Sequence, residues 1–311
     1  MELRHLRYFI GVSEAGSLLK ASARLHVAQP ALGQQIAALE HDLGARLFDR
    51  SSRGVTLTDA GKAFLEHAKV VLADVERARA AVRQTDLVPA GEVALGLPTT
   101  VSLIATVPIL QACRERLPQV RIRLVEGYSG FLREWLIAGR LDLALIFGDQ
   151  ADPALAKQRL LEDRLAFVSN AHGATAPRRM TLAALPRWPL VLPGRDHGLR
   201  RIVDDACEAE GLVLDVVAEI ESLPSVKRAV EAGLGSTILP PGAVADEVAA
   251  GRLRASVIDS PRMLRRVVGA TSITRPGTTA GTAVMRVVID VLRRMVEDRS
   301  WPASWIGPVD A

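Results

Sequence analysis

No apolar run in this chain of 311 residues approaches the roughly 18 residues that a membrane-spanning helix needs. The first residues, Met1-Glu2-Leu3-Arg4-His5-Leu6-Arg7, read as a charged amphipathic helix and not as an export signal. A cytoplasmic protein without membrane contact is therefore expected. There are only two cysteines, Cys113 and Cys207, far apart in sequence. They suit two buried or inert thiols in a reducing compartment better than a disulfide. The six histidines show no metal-ligand spacing with each other or with the cysteines, so no metal and no cofactor are expected. No Gly-rich loop ends in Gly-Lys-Ser/Thr, since Gly61-Lys62-Ala63 fails that pattern. No Gly-x-Ser-x-Gly elbow occurs. His197 beside Asp196 is only a neighbouring pair, as on many surface loops. An enzyme or an exported solute-binding protein thus ranks low. Excess charge is lacking too. The net charge is +4, and residues 1–58 carry seven Lys/Arg against five Asp/Glu. A case for nucleic acid must rest on where the charges sit.

What is present is an ordinary globular balance, 49% hydrophobic and 24% charged, with ample material for a core. The length points to two or three domains. The most informative stretch runs from Gly16 to Ile36. Leu3, Leu6, Phe9, Ile10 and Val12 have near-helical spacing, and Gly16 ends that helix. Ser17 suits the N-cap of a second helix, in which small residues Ala21 and Ser22 let another helix approach. A turn falls around His26-Val27-Ala28-Gln29. Pro30 then sits in the first turn of a third helix, where proline is tolerated. That helix has a buried stripe of Leu32, Ile36, Leu39 and Leu43, and stops at Gly44.

Two short extended pieces flank Ser51-Ser52-Arg53-Gly54, which predicts a small hairpin or wing. A helix then runs from about Asp59 to Asp86. Its apolar residues, among them Phe64, Ala68, Val71, Leu72, Val75 and Val82, need a partner: a second copy, or this chain's own C-terminal part. Pro89-Ala90-Gly91 breaks the pattern. From Glu92 onward strands and helices alternate, which predicts a largely parallel α/β sheet. Strands are expected near 93–97, 121–126, 141–147, 165–168, 190–192, 214–220, 237–239, 255–258 and 267–270. Helices are expected near 102–117, 131–138, 199–210, 225–232 and 282–294. The tail Ser300-Trp301-Pro302-Ala303-Ser304-Trp305 suits packing on the domain or an oligomer contact equally.

The chain resembles the LysR-type transcriptional regulators over nearly its whole length. The resemblance rests on Leu6-Arg7-Tyr8-Phe9, Gly16-Ser17-Leu18, Ala23 to Leu32, Gln35-Ile36, Leu39-Glu40, Leu43-Gly44, Leu47-Phe48-Asp49-Arg50 and Leu57 to Gly61. In the second half it rests on Leu136 to Ala144 and Val230 to Gly235. It implies an α+β protein: a winged helix-turn-helix (1–58), a linker and dimerisation helix (59–88), a hinge (89–91) and an effector-binding domain (92–299). That domain would have two lobes of periplasmic-binding-protein type, one about 92–162 and 268–299, the other about 163–267, with a tail at 300–311. It further implies interrupted palindromic sites in double-stranded promoter DNA, a homodimer through the linker helix, a homotetramer, and contact with RNA polymerase where the protein activates.

For DNA, the resemblance points to Gln29, Pro30, Ala31 and Gln34. An amide can pair bidentately with adenine, and Pro30 and Ala31 suit a thymine methyl. Arg53 matches the wing arginine of the family. Ser17 and Arg50 are candidates for phosphate contacts, which position without reading sequence. Gly33 departs from the family, where serine is common. For a small, anionic effector, Thr99, Thr100 and Ser102 stand where a strand enters a helix, a place that favours anions. Tyr128, Ser129 and Phe147 face the same cleft by analogy, and Pro193 and Arg195 face it from the other lobe. Arg195 and Arg200 suit a carboxylate or phosphate. Parts of this half are similar to the nitrogen-assimilation-control branch, which implies an alternative: a regulator that needs no effector.

Overall fold

A computed structural model describes residues 1–51, 54–82, 88–173, 176–275 and 277–308. The chain divides into two compact units, Met1–Leu87 and Val88–Ala311.

The first unit opens with three helices, α1 (Leu3–Ala15), α2 (Leu18–Leu25) and α3 (Gln29–Leu43). Gly16 ends α1 with φ of 61°, a left-handed backbone that favours glycine. The Ser17 hydroxyl caps α2 by accepting from the Lys20 amide. A hairpin follows, β1 (Phe48–Ser51) antiparallel to β2 (Gly54–Leu57). Helix α4 (Asp59–Val82) completes the unit; the expected continuation to Asp86 lies outside the described residues. Leu6, Phe9, Val12, Leu32, Ile36 and Leu39 converge on one core. The Phe9 ring lies 5.0 Å from both Phe48 and Phe64, which ties the hairpin and α4 to α1.

The second unit has two lobes. Its elements are β3 (Gly91–Leu97), α5 (Thr99–Arg116), β4 (Val120–Glu126), α6 (Ser129–Ile137), β5 (Leu143–Phe147), β6 (Leu155–Arg164), β7 (Ala166–Asn170), β8 (Arg179–Met180), β9 (Leu190–Leu192), α7 (Gly198–Glu208), β10 (Val216–Glu219), α8 (Leu223–Glu231), β11 (Thr237–Leu239), α9 (Ala245–Ala249), β12 (Leu253–Ile258), β13 (Leu264–Ser272), α10 (Thr279–Glu297) and β14 (Ser304–Trp305). Lobe 1 is a six-stranded sheet in the order β14-β6-β13-β5-β3-β4. Along β3 the side chains alternate between two cores. Val93, Leu95 and Leu97 pack with α5 and α10, and Ala94 packs with α6. Lobe 2 has the sheet β11-β7-β12-β8 and the parallel pair β9 and β10 around its own core.

The sheets correct one expectation. In lobe 1 only β3 pairs in parallel, with β4 and β5; the β13 and β14 pairings are antiparallel. The sheet is mixed because β13 returns from the other lobe and runs against both β5 and β6. Strand β6 itself was not expected. The chain crosses at Leu165, between β6 and β7, and returns before Leu264, where β13 begins. The two crossings touch, since the Leu165 amide donates to the Met263 carbonyl at 2.9 Å. The tail is drawn into lobe 1: Trp301 is fully buried in the core beside α5 and α10, and β14 pairs with β6.

Candidate DNA-reading face and effector cleft

The candidate face for DNA is built on α3. Its buried stripe, Leu32, Ile36 and Leu39, fixes which side turns outward. Gln29, Pro30, Ala31 and Gln34 are all exposed on the opposite side. Pro30 lies in the first turn, and no side chain caps the helix at Ala28. The start of α3 therefore offers two amide side chains and small apolar surfaces on one edge. The neighbouring Gln35 points back instead, and its Oε1 pairs with His5 at 2.9 Å. Gly33 is half-buried, and a Cβ there would meet nothing within 4 Å.

One residue that sequence reasoning did not single out sets the wing against α3. Glu40 accepts from the Leu47 amide at 2.8 Å and the Phe48 amide at 3.1 Å. Its other oxygen is 3.6 Å from Arg50. Arg50 is thus exposed and steered by Glu40 at the edge of the hairpin. Its only signal in the sequence was an acid seven and eight residues before two amides. Arg53 lies outside the described residues, between Ser51 and Gly54, which close the hairpin register. The Ser17 hydroxyl serves as the α2 cap at 3.5 Å.

The second candidate site lies where strands of lobe 1 end at their carboxyl termini, facing lobe 2. Ligands in open α/β sheets bind at such ends. Strand β3 leads to Thr99, Thr100 and Ser102, β4 to Tyr128 and Ser129, and β5 to Phe147. The structure separates these residues by role. Thr100 is buried, and its Oγ1 has no hydrogen-bond partner in the protein. Ser102 is buried and pairs with Thr106 at 3.1 Å. Ser129 accepts from the Phe147 amide at 3.0 Å, so its hydroxyl joins α6 to β5 rather than standing free. Thr99 is half-buried at the helix start.

From lobe 2, Pro193 is buried and Arg195 is exposed. Arg200, expected as a carboxylate partner, is taken up internally. It is 3% exposed and binds Asp204 at 2.9 Å, Glu219 at 3.0 Å and the Pro193 carbonyl at 3.1 Å. It therefore shapes the 193–197 loop and does not reach for a ligand.

The lobes meet at Tyr128. Its hydroxyl donates to Glu221 Oε2 at 2.9 Å, and its ring meets His197 edge-on with centroids 4.8 Å apart. Burial, then the bond to Glu221, raises the Tyr128 phenol above its usual 10.0. Burial holds His197 below its usual 6.5, against the pull of Glu221 and with further lowering by Arg265. The imidazole is thus neutral at neutral pH, and its Nδ1 accepts from the Leu199 amide at 3.1 Å.

Beneath them lies a buried ion pair that sequence reasoning missed. Asp163 and Arg265 face each other across β6 and β13 at 2.7 Å, with side chains 0% and 2% exposed. The guanidinium stacks on Phe147, 4.1 Å from the ring centroid. Burial pushes the Asp163 carboxyl up and the Arg265 guanidinium down, while their attraction opposes both shifts. The Trp301 indole also favours the Asp163 charge, yet Asp163 Oδ1 and Trp301 Nε1 both stop short of hydrogen-bond geometry. Among the described residues, no three His, Cys, Asp or Glu are grouped to hold a metal ion, and no helix is long and apolar enough to cross a membrane.

A winged helix-turn-helix joined to such a two-lobed unit defines a DNA-binding transcriptional regulator. The comparisons place it within one family. The model for the lysR-family bacterial regulatory helix-turn-helix protein matches residues 3–62, and that for the LysR substrate binding domain matches residues 88–297. The chain is 34% identical over 264 residues to the nitrogen assimilation regulatory protein nac of Klebsiella aerogenes, covering 85% of this chain and 86% of that protein. It is 30% identical over 303 residues to the HTH-type transcriptional regulator BbuR of Bordetella bronchiseptica, covering 96% and 92%. Full-length CbnR solved with its target DNA has a TM-score of 0.68 at 25% identity, covering 94% of this chain and 99% of that one. The chain belongs to the LysR family. It is a DNA-binding transcriptional regulator and not an enzyme.

Proposed function

We propose that this regulator acts in the cytoplasm as a homotetramer on interrupted palindromic promoter sites. The single observation that carries its reading of DNA is the exposed face of α3. Gln29 and Gln34 offer amides to base edges, and Pro30 and Ala31 offer apolar contacts. Ser17, Arg50 and Arg53 set the register on the phosphates. Two such helices about 34 Å apart read the two halves of one site. The linker helix α4 supports the dimer, since Val71 is 41% exposed on its apolar stripe. A stripe on α5, Leu103, Val107 and Leu110 at 54%, 63% and 38% exposure, supports a second contact between copies. A small anionic effector suits the interlobe cleft near Thr99 and Tyr128. The effector-independent reading is favoured by one observation, the Tyr128 to Glu221 bond that already joins the lobes.

Footprinting on the DNA flanking the gene, with and without small carboxylates and aromatics, tests the proposal. Protection of two half-sites is expected, and none under any condition would overturn it. Gln29→Ala should reduce operator affinity relative to random DNA by roughly five- to a hundredfold, the cost of one bidentate base contact. Binding to random DNA should survive. Equal weakening on both DNAs would remove Gln29 from base reading.

A further inference from the structure

We propose that the carboxylate site of the interlobe cleft is filled by the chain's own Glu221, which latches the two lobes together. The inference rests on the interlobe-cleft reading above and deepens its effector-independent form, since the chain itself supplies the carboxylate. Glu221 follows the carboxyl end of β10, the same kind of position from which the other cleft residues project. Both of its oxygens are engaged, and by different lobes. Oε2 accepts from the Tyr128 hydroxyl of lobe 1 at 2.9 Å. Oε1 accepts from the Gly194 amide of lobe 2, also at 2.9 Å. The Tyr128 hydroxyl also lies 3.4 Å from the Glu221 backbone carbonyl.

A phenol O–H from one lobe and a backbone N–H from the other form a donor pair suited to a small free carboxylate. The cradle is shaped for it. A Cβ on Gly194 would lie 2.7 Å from Glu221 Oε1, so glycine lets the carboxylate sit directly on the amide. His197 closes one side with an apolar ring edge against Tyr128. Its neutral state adds no cation, so the site relies on two neutral donors. Arg200, the buried cation that shapes this loop, is already bound to Asp204 and Glu219.

A tethered ligand acts at an effective concentration in the millimolar range. A free carboxylate must exceed that to displace Glu221, so the native cleft is closed without one. Removing the side chain should convert an insensitive cleft into one that binds small monocarboxylates.

The test uses the full chain with sodium acetate and sodium benzoate, each against sodium chloride at matched ionic strength. Thermal unfolding and amide exchange at Gly194 are read without DNA. Wild type should show no carboxylate-specific change. Glu221→Ala should gain a saturable rise in Tm, roughly 3–6 °C at about tenfold excess over Kd, with slower exchange at Gly194. Glu221→Gln, which still fills the site, should stay insensitive. A Glu221→Ala protein without any carboxylate response would overturn the latch, and so would a wild type that responds equally. A missing footprint counts against the regulator reading, whereas a missing carboxylate response counts against the latch alone.

Discussion

Gly33 shows how far a single residue can be judged on physical grounds. Glycine inside a helix is justified when the backbone is left-handed or a neighbour comes close, and neither holds here: the surrounding space is open. It therefore carries the ordinary entropic cost of glycine in a helix, about 0.5–1 kcal/mol relative to alanine. Gly33→Ala should raise the stability of the DNA-binding unit by that amount, seen as a higher urea midpoint or as slower amide exchange along α3. A loss of stability would mean that Gly33 has a close neighbour the structure does not show. The exposed residues at the start of α3 were legible in sequence because their periodicity left them no core position. Glu40 was not legible, because its role depends on amides brought near by the fold. The same holds for Glu221, whose partners lie 27 and 93 positions away.

Among the elements, those with an apolar rhythm were found and those with a polar one were missed. Strands β9 and β11 were read at their observed bounds, and each is buried along its whole length. Strand β6 was missed because Lys157, Gln158, Arg159, Glu162, Asp163 and Arg164 hide its alternation. Those charges are matched from outside the strand: Glu162 to Arg266, Arg159 to Asp149 and Asp163 to Arg265. Pairing across strands is a tertiary fact, and no window of sequence holds it. The α4 helix shows the reverse case, where a local residue has a strict tertiary role. Thr58 caps its first turn by accepting from the Gly61 amide at 2.9 Å, and the Thr58 amide donates to the Leu47 carbonyl at 3.0 Å. This brings Gly61 so close that a Cβ would lie 2.0 Å from the Leu47 oxygen. Backbone cannot yield there as a flexible side chain would. Gly61→Ala should cost at least about 1–3 kcal/mol through overpacking. The urea transition of the DNA-binding unit should move down while that of the effector unit stays put. An unmoved transition would show that α4 can shift away from the wing freely.

Across the whole effector unit, two crossings of the chain carry the relation between the lobes, and a buried ion pair stands beside both. Asp163 is the penultimate residue of β6, just before the chain leaves lobe 1, and Arg265 is the second residue of β13, just after it returns. They are partners in register, so any opening at the crossings is felt by the pair. Taking two charges out of water costs several kcal/mol for each, and the attraction between them repays that only when both are present. The orphaned Asp163 Oδ1 makes the repayment incomplete. Removing one partner leaves the other charged and buried. Asp163→Leu should therefore cost about 3–5 kcal/mol, whereas Asp163→Leu combined with Arg265→Met should recover most of that loss. Urea unfolding of the four members of the cycle measures this. If the double variant is as unstable as the sum of its parts, the two side chains are uncoupled and the loss in each single variant has another source. If it recovers, the loss in the single variant is the cost of the uncompensated buried charge, and the pair adds little net stability at the crossings.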